Sequence, residues 1–398
     1  MKDQSAIIHQ PKTILVTGGA GYIGSFVTRE LIRNGYEVII FDNLENGHIE
    51  SIDKEAIFIK GNLSVTKNIK DVFDKYKIDA VIDLAAYLMV GESMEKPKEY
   101  IKNNVFNLIN LLEVMESYDC KYIIKSSTAA VYGSPKDDYI PILENYTEIY
   151  SPKTAELLKG KINGKEAEGE KIFQELVDFY DDYIQAHFAF LGLNEDNLNQ
   201  LRIPTNVYGW TKSLDEIILK KYDDVSGIKS IKLRYFNVAG AEPDSNIGED
   251  HPVETHLVPL VIKNAINGSK LQIMGNDYET KDGTGVRDYL HVIDLANGHA
   301  KALQYLLENC ISDTFNLGNG DGYSVLEVVN TVEQQTGLEI NYDFLPRRQG
   351  DPKILIADSN KAQNILKWKA KYKLSDMISS AYNWHKIHPN GYNDKDHC

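Results

Sequence analysis

Three features of this chain predict a doubly wound α/β fold, a parallel sheet covered by helices on both faces, with a smaller mixed α/β lobe behind it. Strand-like apolar runs alternate with helical segments over the first 240 residues. The run Thr13 to Thr17 feeds directly into Gly18-Gly19-Ala20-Gly21-Tyr22-Ile23-Gly24. The next run, Glu37 to Phe41, ends at Asp42.

Taken in order, strands read at 13–17, 37–41, 56–59, 80–84, 122–126 and 230–235, with helical segments between most of them. Gly18, Gly21 and Gly24 allow a tight turn, a close approach of backbone N–H groups to a pyrophosphate, and the seating of a helix, Ile23 to Asn34, whose N-terminus faces those phosphates. Asp42 is placed to accept hydrogen bonds from ribose hydroxyls and to repel a 2′-phosphate, which favours NAD over NADP. Beyond Gly240 the pattern loosens into shorter, Gly- and Pro-punctuated elements. Residues 1–240 are therefore read as the Rossmann-like NAD-binding domain. Residues 241–398 are read as mainly a substrate-binding lobe, with some segments returning to the first domain.

The bulk composition fits a soluble enzyme. At 398 residues, 42% hydrophobic and 10% aromatic, the chain can fill more than one core. A net charge of −15 argues against nucleic acid or an anionic membrane as partner. Any polyphosphate ligand then needs a local basic patch. Cys120, Cys310 and Cys398 are odd in number and far apart, as expected in a reducing cytoplasm and not in a disulfide framework. No stretch reads as a membrane span, and no metal set is read.

The chemistry is expected at Ser126-Ser127-Thr128 and Tyr208-Gly209-Trp210-Thr211-Lys212. Tyr208 and Lys212, four apart at the start of a helix, share one face. The lysine ammonium is expected to pull the phenol down from about 10 towards neutrality, making a general base for a sugar hydroxyl. Thr128 ends a strand within reach of the same hydroxyl.

With these residues the chain resembles the extended short-chain dehydrogenase/reductases, and among them the UDP-glucose (UDP-galactose) 4-epimerases. The motifs are Val16 to Gly24, Val90-Gly91-Glu92-Ser93, Asn103-Asn104-Val105, Val131-Tyr132-Gly133, Leu233-Arg234-Tyr235-Phe236-Asn237, Gly248-Glu249-Asp250, Asp282 to Tyr289 and Asn316-Leu317-Gly318. The resemblance implies a homodimer that binds NAD and a UDP-hexose and inverts C4 through a 4-keto sugar, with Thr128, Tyr208 and Lys212 catalytic. NAD contacts are implied at Gly18, Gly21, Tyr22, Ile23, Gly24, Asp42, Asn43, Asn62, Leu63, Asn103, Ser126, Tyr208, Lys212 and Phe236. Substrate contacts are implied at Thr128, Tyr208, Asn237, His256, Leu257, Arg287, Tyr289, Arg348 and Asp351. The related 4,6-dehydratases carry an Asp-Glu pair where this chain has Thr128-Ala129, which disfavours dehydration. The alternatives are an epimerase of UDP-N-acetylhexosamine or UDP-glucuronate, or a non-catalytic nucleotide-sugar or NAD-binding protein.

Some positions depart from the family pattern. Leu88 stands for a lysine, Asn62 for an aspartate, Met274 for a phenylalanine and His256 for an asparagine. Leu355 replaces a tyrosine that crowds the sugar's C2 substituent, so glucose and galactose are expected as main sugars with some N-acetylated turnover. A lysine- and glutamate-rich insertion, about 145–201, carries an apolar stripe at Ile172, Leu176, Tyr180, Ile184 and Phe188 that predicts an amphipathic helix over 168–191, either docked on its own lobe as an appendage or serving as a lid or a subunit contact.

Overall fold

The computed structural model describes residues 12–146, 204–244, 246–348 and 351–393. The predicted helix over 168–191 and nearly all of the insertion lie outside the described residues.

Six parallel strands follow the predicted spans closely. They are β1 (Thr13–Thr17), β2 (Glu37–Asp42), β3 (Ile57–Lys60), β4 (Ala80–Asp83), β5 (Tyr122–Thr128) and β6 (Lys229–Tyr235). Four short strands follow, β7 (Asn237–Ala239), β8 (Leu271–Met274), β9 (Val286–His291) and β10 (Asp313–Leu317). The main sheet has seven strands in the order β10-β6-β5-β4-β1-β2-β3, all parallel. The order reverses between β1 and β4, and open sheets of this kind bind ligands at the carboxyl ends of the strands beside that reversal. Runs such as Ile14, Leu15 and Val16 are buried on both faces because helices cover both sides.

On one face lie α1 (Tyr22–Arg33) and a helix from the later half of the chain, Val292–Asn309. Their apolar residues, among them Phe26, Leu31, Leu295 and Leu303, join Phe315 and Trp368 in one core. On the other face lie α2 (Thr66–Lys75), four consecutive helical segments over residues 90–117, and the twenty-residue helix Val207–Ser226. That last helix starts at Asn206, whose Oδ1 accepts from Gly209 N at 2.8 Å, and stops at Gly227 in the left-handed region.

The remaining strands build the second part of the molecule. β9 pairs with β7, with β11 (Gly322–Ser324) and with β13 (Ile354–Leu355), while β8 pairs with β12 (Tyr342–Leu345). Helices Leu257–Asn267, Val325–Thr336 and Leu374–Ile387 enclose a separate core around Val261, Val328 and Met377. This part stands over the carboxyl edge of the main sheet, because β7 continues almost directly from β6.

Candidate active site

The glycine turn has the shape a pyrophosphate needs. Gly18 sits at φ +69°, and a Cβ there would come within 2.8 Å of Ala85 N. A Cβ on Gly24 would lie 2.1 Å from Gly18 O, so α1 packs on the turn only because that atom is missing. Gly21 differs, since its nearest neighbour would be 3.4 Å away. Protein packing does not demand glycine at 21. Gly21 is also the N-cap of α1, offers no side chain to cap it, and is followed by no acidic residue in the first turn. The amides near Tyr22 and Ile23 thus face the carboxyl edge with the helix's partial positive charge behind them, and these residues fit a dinucleotide phosphate.

Asp42, at the end of β2, is 8% exposed, and its two oxygens accept from Ala20 N at 3.0 Å and Leu44 N at 2.8 Å. Burial raises its pKa while those N–H groups, His48 and the Asn43 amide oppose the rise. It therefore clips the glycine turn to the second strand. Asn43 turns its own loop, accepting from Glu45 N at 2.9 Å. Asn62 does the same for Ser64 N, also at 2.9 Å, and Leu63 is buried beside it. The Asn62 oxygen is occupied locally, whatever its amide contributes to a base.

The strand ends and the helix Val207–Ser226 bring the predicted catalytic residues together. Tyr208 and Thr128 share a hydrogen bond. Lys212 Nζ lies 6.0 Å from the centre of the Tyr208 ring and donates to Ser126 O and Oγ, both at 3.1 Å. The helix is pinned at its start by Ser93 Oγ, which accepts from Tyr208 N at 3.1 Å.

Asn104 pins it further along. Its Nδ2 donates to Thr211 Oγ1 and to Tyr87 O, both at 3.0 Å, and its Oδ1 accepts from Tyr87 N at 2.8 Å. The motif Asn103-Asn104-Val105 thus contains a buried staple between the catalytic helix and the loop after β4. Its neighbour Asn103 is only half-buried and bonds to Asn104 and Asn107.

The electrostatics depart from the sequence expectation. Burial pushes the Tyr208 phenol up to about 12, and neither the Thr128 hydrogen bond nor the charge of Lys125 overcomes that. Lys212 does not supply the expected pull because burial, followed by repulsion from Lys125, brings its own pKa down to about 7. Lys125 itself went unmarked in the sequence. It is 1% exposed in the middle of β5, with Asp83 Oδ2 at 2.6 Å and Asp215 Oδ2 at 3.3 Å. Thr17 donates to the other Asp83 oxygen. The two carboxylates hold the lysine charged despite its burial, while burial raises Asp215 to about 6.

The expected substrate residues are less tightly gathered. Arg287, 15% exposed at its side chain, lies 3.5 Å from Asp351 and donates to Val286 O at 2.9 Å. Arg348 is exposed, as is Asn237, whereas Tyr289 is buried. The adjacent Arg347 bonds Asp277 and stacks on Tyr278, 4.1 Å from its ring centre. His256 and Leu257 stand at the start of the helix Leu257–Asn267. His256 bonds Glu249, so its Nδ1 is not open to a nucleotide. Phe236 and Leu355 are buried in one cluster with Ala129, Val131 and Tyr132.

Comparison with known proteins agrees with this geometry. Residues 14–156 match the NAD dependent epimerase/dehydratase family, and residues 194–381 match the model named GDP-mannose 4,6 dehydratase. The UDP-glucose 4-epimerase of Lactobacillus helveticus is 41% identical over 384 residues, covering 96% of this chain and 99% of that protein. The solved UDP-glucose 4-epimerase of Bifidobacterium longum, in complex with NAD+ and UDP, superposes with a TM-score of 0.77 at 34% identity, covering 96% of this chain and all of the other. The UDP-Glc/GlcNAc 4-epimerase of Campylobacter jejuni has a TM-score of 0.70 at 33% identity, covering 94% of this chain and 99% of the other. Full-length similarity at this level, with the glycine turn and the Thr128, Tyr208 and Lys212 cluster in place, shows that the chain belongs to the UDP-glucose 4-epimerase family.

Proposed function

We infer that this chain interconverts UDP-galactose and UDP-glucose by inverting C4 of the hexose. The observation that carries the reading is the meeting of Thr128, Tyr208 and Lys212 at the carboxyl edge of the sheet that also bears the glycine turn. NAD, when bound, supplies an acceptor and then a donor for the hydrogen at C4, and a positive ring charge beside Tyr208.

Tyr208 takes the proton from the sugar's O4 and later returns it. Thr128, already bonded to the phenol, orients the same hydroxyl. Lys212, fixed by Ser126, would hold the ribose next to the nicotinamide, while the positive ring of bound NAD, not Lys212, would favour the phenolate. Asp42 accepts from the adenosine ribose, and Asn43, Asn62, Leu63, Asn103 and Phe236 line the rest of that cofactor's path. Arg287 and Arg348 hold the diphosphate through charge-assisted bonds, with Asn237, His256, Leu257, Tyr289 and Asp351 around the nucleotide and sugar. Residues before about 240 chiefly serve the cofactor, and those after it chiefly the sugar nucleotide. Thr128-Ala129, in place of an Asp-Glu pair, favours epimerisation over dehydration.

A homodimer belongs to this reading, built from segments near 90–118 and the helix that carries Tyr208; a single-chain mass by light scattering would remove it. The function itself is tested by coupling UDP-glucose formation from UDP-galactose to a UDP-glucose dehydrogenase. Tyr208→Phe should keep NAD and UDP-sugar binding and lose about 10²- to 10⁴-fold in kcat. A variant turning over at a near-normal rate contradicts Tyr208 as the base.

A further inference from the structure

The loop entering the helix Leu257–Asn267 gathers a donor set of which only His256 stands among the proposed substrate contacts, and none takes part in the proton or hydrogen transfer. Glu249, His251, Glu254 and His256 each turn one ligand atom inward, and those atoms all lie within 4.8 Å of one another. Both histidines present Nδ1, with their rings near perpendicular at 82° and 5.3 Å apart. Glu249 Oε1 touches both. It lies 3.5 Å from His251 Nδ1 and bonds His256 Nδ1 directly. Glu254 Oε2 lies 3.5 Å from His251 Nδ1, and Glu254 Oε1 lies 4.0 Å from His256 Nδ1.

We propose that Glu249, His251, Glu254 and His256 form a binding site for one divalent transition-metal ion, with zinc the best fit to the donors. Zinc bound tetrahedrally to imidazole nitrogen at about 2.0 Å and carboxylate oxygen at about 2.1 Å separates neighbouring ligand atoms by about 3.4 Å. The His251 contacts already stand at that spacing. The His256–Glu249 contact must open, and the half-exposed His256 ring is free to swing outward. Imidazole donors point away from magnesium and calcium, which take oxygen.

Burial supplies an independent observation. The Glu254 side chain is 7% exposed, and its Oε2, directed into the cluster, makes no hydrogen bond of ordinary length among the described residues, His251 Nδ1 standing 3.5 Å away. Its other oxygen is already held by the N–H groups of Thr255 and His256, both at 2.8 Å. The Glu249 side chain is 4% exposed. Two buried carboxylates beside two imidazoles require either two added protons or one dication to reach neutrality, and the dication also gives the loosely held Glu254 oxygen a close partner. Glu249 is fixed from behind, since Trp384 Nε1 donates to its carbonyl at 3.2 Å. The ion would tie residues 249–256 to the start of the helix that carries Leu257. The sequence reading named no metal, although Glu249-x-His251-x-x-Glu254-x-His256 is compact enough to be seen.

The test is metal analysis of the purified full chain, independent of any epimerase assay. Elemental mass spectrometry after exhaustive dialysis should find about one zinc per chain. Chelator-stripped protein titrated with Co2+ should develop the intense visible bands of four-coordinate cobalt, saturating at one equivalent. His251→Ala and Glu254→Gln should each lower the retained zinc at least tenfold and abolish those bands, with circular dichroism reporting that the fold is kept. If a variant does not fold, titration of the stripped wild-type chain decides alone. Wild-type protein that keeps no zinc and gives no saturable cobalt bands, or folded variants that bind both metals like wild type, overturns the proposal.

Discussion

Lys125 shows what a single residue can hide. Within the run Tyr122 to Ser127 it reads as one charge in an apolar strand, yet a lysine fully enclosed by a sheet must have acidic partners. Those partners, Asp83 and Asp215, lie far from it in sequence on β4 and on the catalytic helix, so no spacing rule links them. The same network explains why the sequence misjudged the charge of Tyr208. A Tyr-x-x-x-Lys pair tells which groups meet, but not that a second buried lysine competes with Lys212 for the same two carboxylates. Lys125→Met should therefore leave two buried carboxylates without their cation and cost about 3–5 kcal/mol of stability. Urea denaturation checks this, and a loss below about 1 kcal/mol contradicts the assignment.

At the scale of the element, the strand–turn–helix unit was the most legible part of the chain. Its signal is local: an apolar run, three glycines at fixed offsets, and an acid closing the next strand. The structure adds that the glycines do different jobs. Gly24 is required by packing against Gly18 O, and Gly21 is not required by packing at all. Gly24→Ala should thus destabilise the fold by about 1–3 kcal/mol through overpacking. Gly21→Ala, at φ −81° where alanine is unstrained, should leave the melting temperature nearly unchanged while weakening NAD retention at least tenfold. Calorimetry and the nucleotide absorbance of purified protein separate the two. A Gly21→Ala protein still fully loaded with NAD would show that the main chain does not approach the phosphates there. The Asn104 staple was less legible, because a buried asparagine and a cofactor-facing one look alike in a row of letters.

Across the whole molecule, the sequence showed the alternating half clearly and the later half only in outline. β10 and the helix Val292–Asn309 complete the main sheet and its core, yet they follow about sixty residues of short elements and give no periodic sign of where they return. Long-range placement of this kind is decided by packing, not by local pattern. The returning helix carries one buried histidine, His299, and a second, His291, caps its start. His299 is fully buried, with Nδ1 donating to Leu295 O at 3.0 Å, and His291 Nδ1 accepts from Ile293 N at 3.1 Å. Burial depresses both to about 4, against small opposing effects of the Leu295 carbonyl and Asp376. In the unfolded chain they titrate near 6.5, so between about 6.5 and 4 the unfolded state binds more protons. Their contribution is complete above that window and is lost as pH falls through it, at about 1.4 kcal/mol per group per pH unit. Asp215, raised by burial to about 6, and Asp288, raised by burial to about 7, act in the opposite sense because the folded chain binds their protons first. The histidine contribution is therefore read by difference: between about pH 6.5 and about pH 4.5 the denaturant midpoint of His299→Gln should fall less than that of the unsubstituted protein, and identical pH dependences of the two would contradict this reading.

In the proposed reaction C4 is inverted by removing and returning the substrate's own hydrogen while Tyr208 handles the O4 proton. Proton NMR of UDP-galactose incubated in D2O with the purified chain, with no nucleotide added, tests it most directly. UDP-glucose should accumulate with protium retained at C4 and no net reduced cofactor. Deuterium entering C4 from solvent, or no interconversion by protein that carries NAD, would contradict it.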